Sequence, residues 1–492
     1  MSATPAVPVK RRRWRSWHVF CLVIVLLVGG LWGYRAWRQG QMEARLRNAI
    51  ATIEQDDPNW RLDSLEREYE ARPISPAFLK AVKAFPPGYR GWCGDDIPYR
   101  QGALEYQPDG KEFNVRLPES YFQILKERLL EERVQPLRQA LLELMNEPAG
   151  YRLPTTGKNN YRELDDARRL ANKLADEMIY AAHQGDTNQV IQAFELVLRN
   201  ASHPEACPTP LHQLVTLSLM MHGYENMKRA LAFCQFSDVE LREVDQLLNK
   251  FQPPSTRQII RFARASDFVA LEEARHDPLK RQQIVDIIVM PVNNPSWQVK
   301  LSEWGKRLVV ELALLNLSEM QAEWLESTQT ALQIPVNQPH ELHLILNQVQ
   351  QKTTNMVLKT QWALLSKVLT ARLTHQAHID TLRLALACER FRLAKGQWPG
   401  SLQMLVPEYV PQVPVDPYTG QPLLYRVLPD GVVIYTVHTD GKDDGGMVLE
   451  SNGAYPRDRG TRLFNPAQRG LKYEAAPKKD PTPGDVESPP RN

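Results

Sequence analysis

What the chain lacks narrows its chemistry before any motif is weighed. It has no CxxC pair, no HExxH helix, no GxxxxGK[ST] phosphate loop, no G-x-S-x-G elbow and no glycine-rich nucleotide fingerprint. Structural zinc, nucleotide handling and nucleophile-elbow hydrolysis therefore find no support in motif spacing. Cysteine is scarce: five in 492 residues, at positions 21, 93, 207, 234 and 388. Cys207 and Cys234 are the tempting disulfide pair, yet the segment between them, "PTPLHQLVTLSLMMHGYENMKRALAF", reads mostly as one helix. A continuous helix holds its ends on the order of 35–40 Å apart, beyond any disulfide. Free, mostly buried thiols are expected.

A basic excess is lacking too, although the net charge of +3 suggests one. Lys10, Arg11, Arg12, Arg13 and Arg15 carry five positive charges, so the chain after residue 15 sums to −2. A nucleic-acid binder carries its positive charge on the folded part, which argues against nucleic acid as a partner.

The basic cluster precedes "SWHVFCLVIVLLVGGLWGY", Ser16 to Tyr34, a run without Lys, Arg, Asp or Glu. At about 1.5 Å per residue it spans about 28 Å, the depth of a bilayer's hydrocarbon. Trp14 and Trp17 flank one end and Trp32, Tyr34 and Trp37 the other, as interfacial aromatic belts do. The basic residues place that end in the cytoplasm, and Arg35 and Arg38 beyond the span weaken the bias without reversing it. A cleaved signal peptide is the competing reading, with Val28-Gly29-Gly30 as the small residues. Bulky Trp32 and Tyr34 follow at once, which favours an uncleaved anchor. Cys21 lacks the small residues before it that a lipoprotein cysteine has.

Beyond the anchor, Met42 to Ile53 predicts a helix leaving the membrane, and Pro58 turns the chain into a second one. Residues 85–117 are dense in Gly, Pro and aromatics. Two readings stay open there: a binding loop exposing Tyr89, Trp92 and Tyr99, or a packed loop on a helical body. From Pro118 to about residue 375 the pattern is helical. Leu170, Leu174, Met178 and Ala181 recur at spacings of four and three, Gly185 ends that run, and "SDVE" at 237–240 is a capping box. The pair around "AAHQGDTNQVIQAFELVL" resembles a tetratricopeptide hairpin, but no fixed period follows, so an irregular bundle or short solenoid is expected. A helix of about 40 residues should then end at Gly396, with Leu382, Leu386 and Leu393 on one face expected to bury against Leu424, Ile434 and Val437 of the following hairpin. Fourteen of the 37 prolines follow it. "PLLYRVL" and "GVVIYTV" predict a hairpin through Pro429-Asp430-Gly431, "TRLF" a third strand, and the tail from Lys472 disorder.

Two HxxH pairs, His340/His343 and His375/His378, each present two imidazoles on one helical face. No third ligand is suggested by spacing, so solvated or partly buried helix histidines are the expectation. The remaining chemistry lies in "HTDGKDDGG", 438–446. Asp440, Asp443 and Asp444, with Gly441, Gly445 and Gly446 for tight bends and Asp458 to close the loop, supply the oxygens calcium requires. A turn held by Asp-to-backbone hydrogen bonds is the other reading.

Residues 380–465 resemble the globular part of the G-type pseudopilins of type II secretion systems. The matching pieces are "ACERFRLAKGQWPGSLQMLVPEYVPQVPVDPYTGQPLLYR" and "VIYTVHTDGKDDGG". The resemblance implies a long helix, a small antiparallel sheet and a calcium loop, with Asp440 and Asp458 in ligand positions; Asp443 and Asp444 rest on chemistry alone. The start of the chain departs from that family: "KRRRWRSWHVFCLVIVLL" lacks a pseudopilin's cleaved leader and assembly glutamate. Over its whole length the chain resembles a group of bacterial membrane-anchored proteins that share "DPxWRLxxLE", here at 57–66, the helical body and the C-terminal module.

The expected organisation is a basic tail (1–15), an anchor (16–37), membrane-proximal helices and the Gly/Pro/aromatic loop (38–117), an α-helical domain (118–350), a long helix with the pseudopilin-like α+β module (351–470), and a disordered tail (471–492). The expected fold is mainly α. The expected role is non-enzymatic: a single-pass envelope protein of the inner membrane, with an extracytoplasmic body, a structural or interaction role toward envelope proteins, and calcium as a staple of the small domain. An accessory part of a type II secretion or pilus-like apparatus is the alternative, and a hydrolase with its site in the helical domain a weaker one.

Overall fold

The computed structural model describes residues 13–86, 119–130, 132–147, 151–153, 162–203, 207, 210–289, 305, 310, 314–333, 349, 351, 353, 355–448 and 458–470. The aromatic loop with Tyr89, Trp92 and Tyr99, Cys93, His340/His343 and the tail from 471 lie outside them. The described part is mostly helical, with one small antiparallel sheet near the C-terminus. Its compact units are interleaved along the chain: one comprises 1–60, 267–330 and 353–360, the other 61–266, 331–352 and 361–492.

The first unit is organised by α1 (Arg13–Asp56), a single helix of 44 residues. Val19, Phe20, Leu22 to Val28 and Leu31 are all exposed, and the helix is long and apolar enough to cross a membrane. Farther along, Leu46, Ala49 and Ile53 recur at spacings of three and four. They bury against Trp60, Phe268 of α10 (Thr256–His276), and Ala322 and Leu325 of α12 (Leu317–Leu332). Trp60 meets Phe268 edge to face at 5.1 Å. Arg45 forks onto Glu326 at 2.9 and 2.5 Å, and Gln329 donates to Asp56 at 2.5 Å. Such exposed pairs are worth at most about 1 kcal/mol, so the apolar seam holds α1 in place. Helix α11 (Pro278–Val289) also belongs to this unit.

The second unit starts with α2 (Leu62–Glu70), α3 (Pro76–Lys83), α4 (Glu119–Leu130) and α5 (Gln135–Glu143). Its centre is the packed trio α6 (Arg162–Gln184), α7 (Thr187–Ser202) and α8 (Pro210–Phe233), followed by α9 (Asp238–Lys250). Leu170, Leu174, Met178 and Ala181 form the buried face of α6, as their spacing predicts. Gly185, at φ +75°, stops the helix where an L side chain would be strained. Asp186 then caps α7 by accepting from the Gln189 N–H at 2.9 Å. Both bonds of the Ser237/Glu240 capping box open α9. Cys207, Cys234 and Cys388 are buried and in no disulfide, and α8 occupies most of the stretch between the first two as one helix.

Helix α13 (Met356–Lys395) runs 40 residues to Gly396 and leads into β1 (Leu424–Leu428), β2 (Gly431–Thr436) and β3 (Arg459–Phe464), in sheet order β1-β2-β3. Leu428 pairs with Gly431 and Ile434 with Thr461. Ile379, Leu382 and Leu386 of α13 share one core with Leu423, Val432, Ile434 and Leu463, and with residues of α6 to α9. The sheet thus shares its core with the helical body. Three expectations about that core are corrected. Leu393, expected on the buried face with Leu382 and Leu386, is 42% exposed because α13 projects a turn beyond its core. Leu424 stands opposite Tyr435 on the outer face of the sheet, so its neighbour Leu423 enters the core instead, and Val437 is buried outside it.

Candidate functional site

Strand β2 is buried along its whole length. Its residues alternate in direction: Val432 and Ile434 face the core shared with α13, which leaves Val433 and Tyr435 on the outer face. The aspartate loop covers that face. A Cβ on Gly446 would sit 3.0 Å from both the Val433 and Tyr435 side chains, and Gly446 holds φ +77°, so a larger residue there would be strained and would push those side chains aside. Asp458, fully buried at the start of β3, accepts from the Gly446 N–H at 2.8 Å and from the Asp444 N–H at 3.4 Å. Asp443 accepts from the Tyr435 hydroxyl at 3.0 Å and the Gly445 N–H at 2.8 Å, and lies 3.7 Å from Arg426. Asp440 accepts from the Lys442 N–H at 3.1 Å.

The structure therefore brings Asp443, Asp444 and Asp458 into one loop, while Asp440 closes a local turn of its own. Among the described residues no group of three His, Cys, Asp or Glu is arranged to hold a metal ion. Burial raises the Asp458 pKa, its backbone donors lower it and the nearby Asp443 charge raises it further. Sequence reasoning missed Asp416, buried in the "VPVDP" turn. It accepts from the Tyr418 N–H at 2.8 Å and the Val437 N–H at 3.2 Å, tying the turn to the end of β2. The Asp-Pro pair followed by Thr419-Gly420 was the available signal.

A second polar cluster lies at the junction of α8, α13 and β3. The Lys228 ammonium donates to Glu225 Oε1 at 2.9 Å and to the Gly460 carbonyl at 3.0 Å, and approaches His378 Nδ1 at 2.6 Å. Glu225 Oε1 lies 2.8 Å from the same ring nitrogen. Lys228, Glu225 and the His378 ring nitrogen thus meet at one point. Burial, with the Lys228 charge, pushes the His378 pKa down to about 4. Burial disfavours the charged Glu225, but Lys228 and His378 outweigh it and hold the carboxylate well below its usual range. Gly460 is required because a Cβ there would lie 2.1 Å from the Ile434 carbonyl oxygen. One turn along, Thr461 donates to Thr381 at 3.2 Å.

His375 and His378 are both buried, which corrects the expectation of solvated or partly buried histidines. Neither ring nitrogen of His375 has a hydrogen-bond partner, and the ring sits edge-on to Tyr224 at 4.9 Å. Burial pushes its pKa well below the ordinary histidine value, so at neutral pH it is an uncharged core ring. The HxxH spacing thus reflects packing on α13.

Two further features bear on chemistry. Glu389, fully buried on α13, receives Arg469 through two bonds of 2.7 Å and Arg392 through bonds of 2.7 and 3.0 Å. Arg469 also donates to the Phe464 carbonyl at 3.0 Å, so the segment after β3 is fastened to α13. A cleft of about 630 Å³ between α6 and α8 is lined by Asn172, Asp176, Ser218, His222, Glu225 and Arg229, among others. Ser218 and His222 stand one turn apart on α8, a spacing that sequence reasoning passed over. His222 Nε2 has no hydrogen-bond partner, and burial with the Arg229 charge pushes the ring to about 4. This imidazole accepts no serine proton in the structure and is a weak base at neutral pH.

Compared with protein-family models, with curated proteins and with solved structures, the chain has no match.

Proposed function

We propose that this protein is a non-enzymatic, single-pass membrane-anchored envelope protein whose extracytoplasmic body has a structural or interaction-mediating role. The observation that carries this reading is the continuity of α1. One helix contains the exposed apolar run from Val19 to Leu31 and, without a break, the residues Leu46, Ala49 and Ile53 that form a core with Trp60 and Phe268. A flexible linker leaves a body free to wander; an uninterrupted helix passes orientation from the bilayer to the fold. The basic residues before the span put the N-terminus in the cytoplasm. The non-enzymatic reading is supported by polar clusters whose members satisfy one another: Lys228, Glu225 and His378 in one case, Glu389, Arg392 and Arg469 in the other. Cross-linking in intact cells, followed by capture from solubilised membranes, tests the role. Recovery of a reproducible set of envelope proteins is expected; small molecules alone would contradict it.

The aspartate loop is best read as a clasp that closes the outer face of β2. Calcium is a second reading, favoured by one observation: Asp458 is buried with the Asp443 charge raising its pKa, a juxtaposition that a cation relieves. In that reading Asp440, Asp443 and Asp458 release their N–H donors and gather with Asp444 around the ion. The alternative of an accessory role in a type II secretion or pilus-like apparatus draws on the succession of α13, three-stranded sheet and aspartate loop. Recovery of true pseudopilins in the same capture would favour it.

A further inference from the structure

The arginines just past the apolar run do not serve the orientation of the chain, since Arg35 and Arg38 oppose the bias set by the N-terminal cluster. In the structure they line a cavity of about 390 Å³ with Arg275 and His276 at the end of α10, Arg281 on α11 and the first residues of α12. That size lies within the range of about 300–1,000 Å³ seen for small-ligand clefts. The walls carry four guanidinium groups and no carboxylate. Nearby acids neutralise them only in part. Arg38 lies 3.8 Å from Glu319 with 49% of its side chain exposed. Glu272 serves Arg275 at 3.1 Å and His276 at 3.4 Å. Arg281 donates to the Ala274 carbonyl at 3.3 Å, and neither it nor Arg35 has an ion pair among the described residues.

We propose that this pocket binds the phosphate headgroup of an anionic phospholipid, resting on the reading of α1 as a membrane anchor. Arginines lining a polar cavity fit a phosphate, which can accept two N–H bonds from a guanidinium fork. The position of the pocket selects the source. The apolar run ends at Tyr34, so Arg35 and Arg38 stand within roughly 2–6 Å of its end along the helix. The headgroup layer is about 5–8 Å deep on each side of the hydrocarbon, so the cavity opens at that layer. A lipid there presents its phosphate at high local concentration, whereas free phosphate must arrive from dilute solution. The arginines would then fix the depth and rotation of α1 at the surface, which the apolar run alone leaves free.

The full chain, placed in nanodiscs of phosphatidylcholine with or without phosphatidylglycerol and released for native mass spectrometry, reports which lipids stay bound. Phosphatidylglycerol should be retained over phosphatidylcholine. R35Q/R38Q and R275Q/R281Q, which empty the pocket from two separate parts of the chain, should each lower that retention roughly tenfold or more. Thermal melts identify any variant that does not fold, and the other pair then carries the comparison. Inorganic phosphate matched to the lipid concentration should displace nothing; displacement would make this a free-phosphate site and overturn the lipid assignment. Equal retention of both lipids, or full retention by folded variants, overturns the pocket itself. Extraction of the same membranes with alkaline carbonate separates the two readings. A chain that washes off contradicts the anchor and the pocket together, while a chain that resists but shows no lipid preference contradicts the pocket only.

Discussion

Glu389 offers a sharp test of how the C-terminal module is held. It is fully buried and accepts four charge-assisted hydrogen bonds, two from Arg469 and two from Arg392. The Arg469 side chain is only 2% exposed, so its charge has no route to water when the carboxylate is removed. Breaking one side of such a pair costs about 3–5 kcal/mol, far more than the pair contributes beyond a well-packed apolar substitute. Glu389→Gln keeps the shape and removes the charge, and should cost about that much. Arg392 is partly exposed and can turn outward, which leaves Arg469 as the main source of the loss. Combining Glu389→Leu with Arg469→Met removes both buried charges and should recover most of the stability. Hydrogen exchange of the β3 amides, followed beside thermal melting of the purified full chain, reads the effect where it arises. The acid limb should agree. Burial disfavours the charged Glu389, but its two arginines outweigh that and lower its pKa below the ordinary 4.5. Its contribution is thus complete above pH 4.5 and lost as pH falls through the lowered value. A Glu389→Gln chain within about 0.5 kcal/mol of the parent, or a double variant no better than the single one, would refute the reasoning.

Other expectations follow from the same packing. His203, His212 and His378 are buried with pKa values pushed down from 6.5 to about 4, chiefly by burial. The unfolded chain binds protons at these rings first, so stability is full above pH 6.5 and each ring removes up to about 3 kcal/mol by pH 4; urea melts between pH 7 and 4.5 should show a steep decline, and a flat profile would mean the rings are solvated. Leu386→Ala should cost about 2–5 kcal/mol and Leu393→Ala less than about 0.5, because one is buried and the other is 42% exposed; similar denaturant midpoints for the two would dissolve the distinction. Gly446→Ala should loosen the loop over Val433 and Tyr435 and expose the β2 amides to exchange, whereas Gly400→Ala, which would meet the Met404 sulfur at 3.6 Å, should not. On the clasp reading the full chain melts identically in millimolar calcium and in chelator; a rise of roughly 2.7 kcal/mol at a hundred times Kd, abolished by Asp440→Ala, would favour calcium instead.

Much of the fold was legible because local signals agreed with one another. The 40-residue length of α13, its stop at Gly396, the capping box of α9 and all three strands follow from periodicity and turn chemistry. What failed was long-range. Leu424 was expected in the core, whereas the register places Leu423 and Tyr425 on that side. The C-terminal strands share one core with helices 150 or more residues earlier, which no local window detects. The aspartates were legible as a cluster, since Asp and Gly crowd one turn. Their partners were not: Tyr435 and the Gly445 and Gly446 amides are identified only once the loop folds over β2. Lys228, Glu225 and His378 lie up to 153 residues apart in sequence and gave no signal beyond the HxxH spacing. Arg35 and Arg38 read as a weakened topology bias, and their convergence with Arg275 and Arg281 emerges only in three dimensions.

The central claim is that α1 stays whole and tethers the body to the membrane. Membranes washed with alkaline carbonate, solubilised and digested for mass spectrometry, address it most directly. The account predicts that the chain remains in the pellet and yields peptides from before residue 30 together with those of the body. A chain found in the wash, beginning near Leu31, would contradict it.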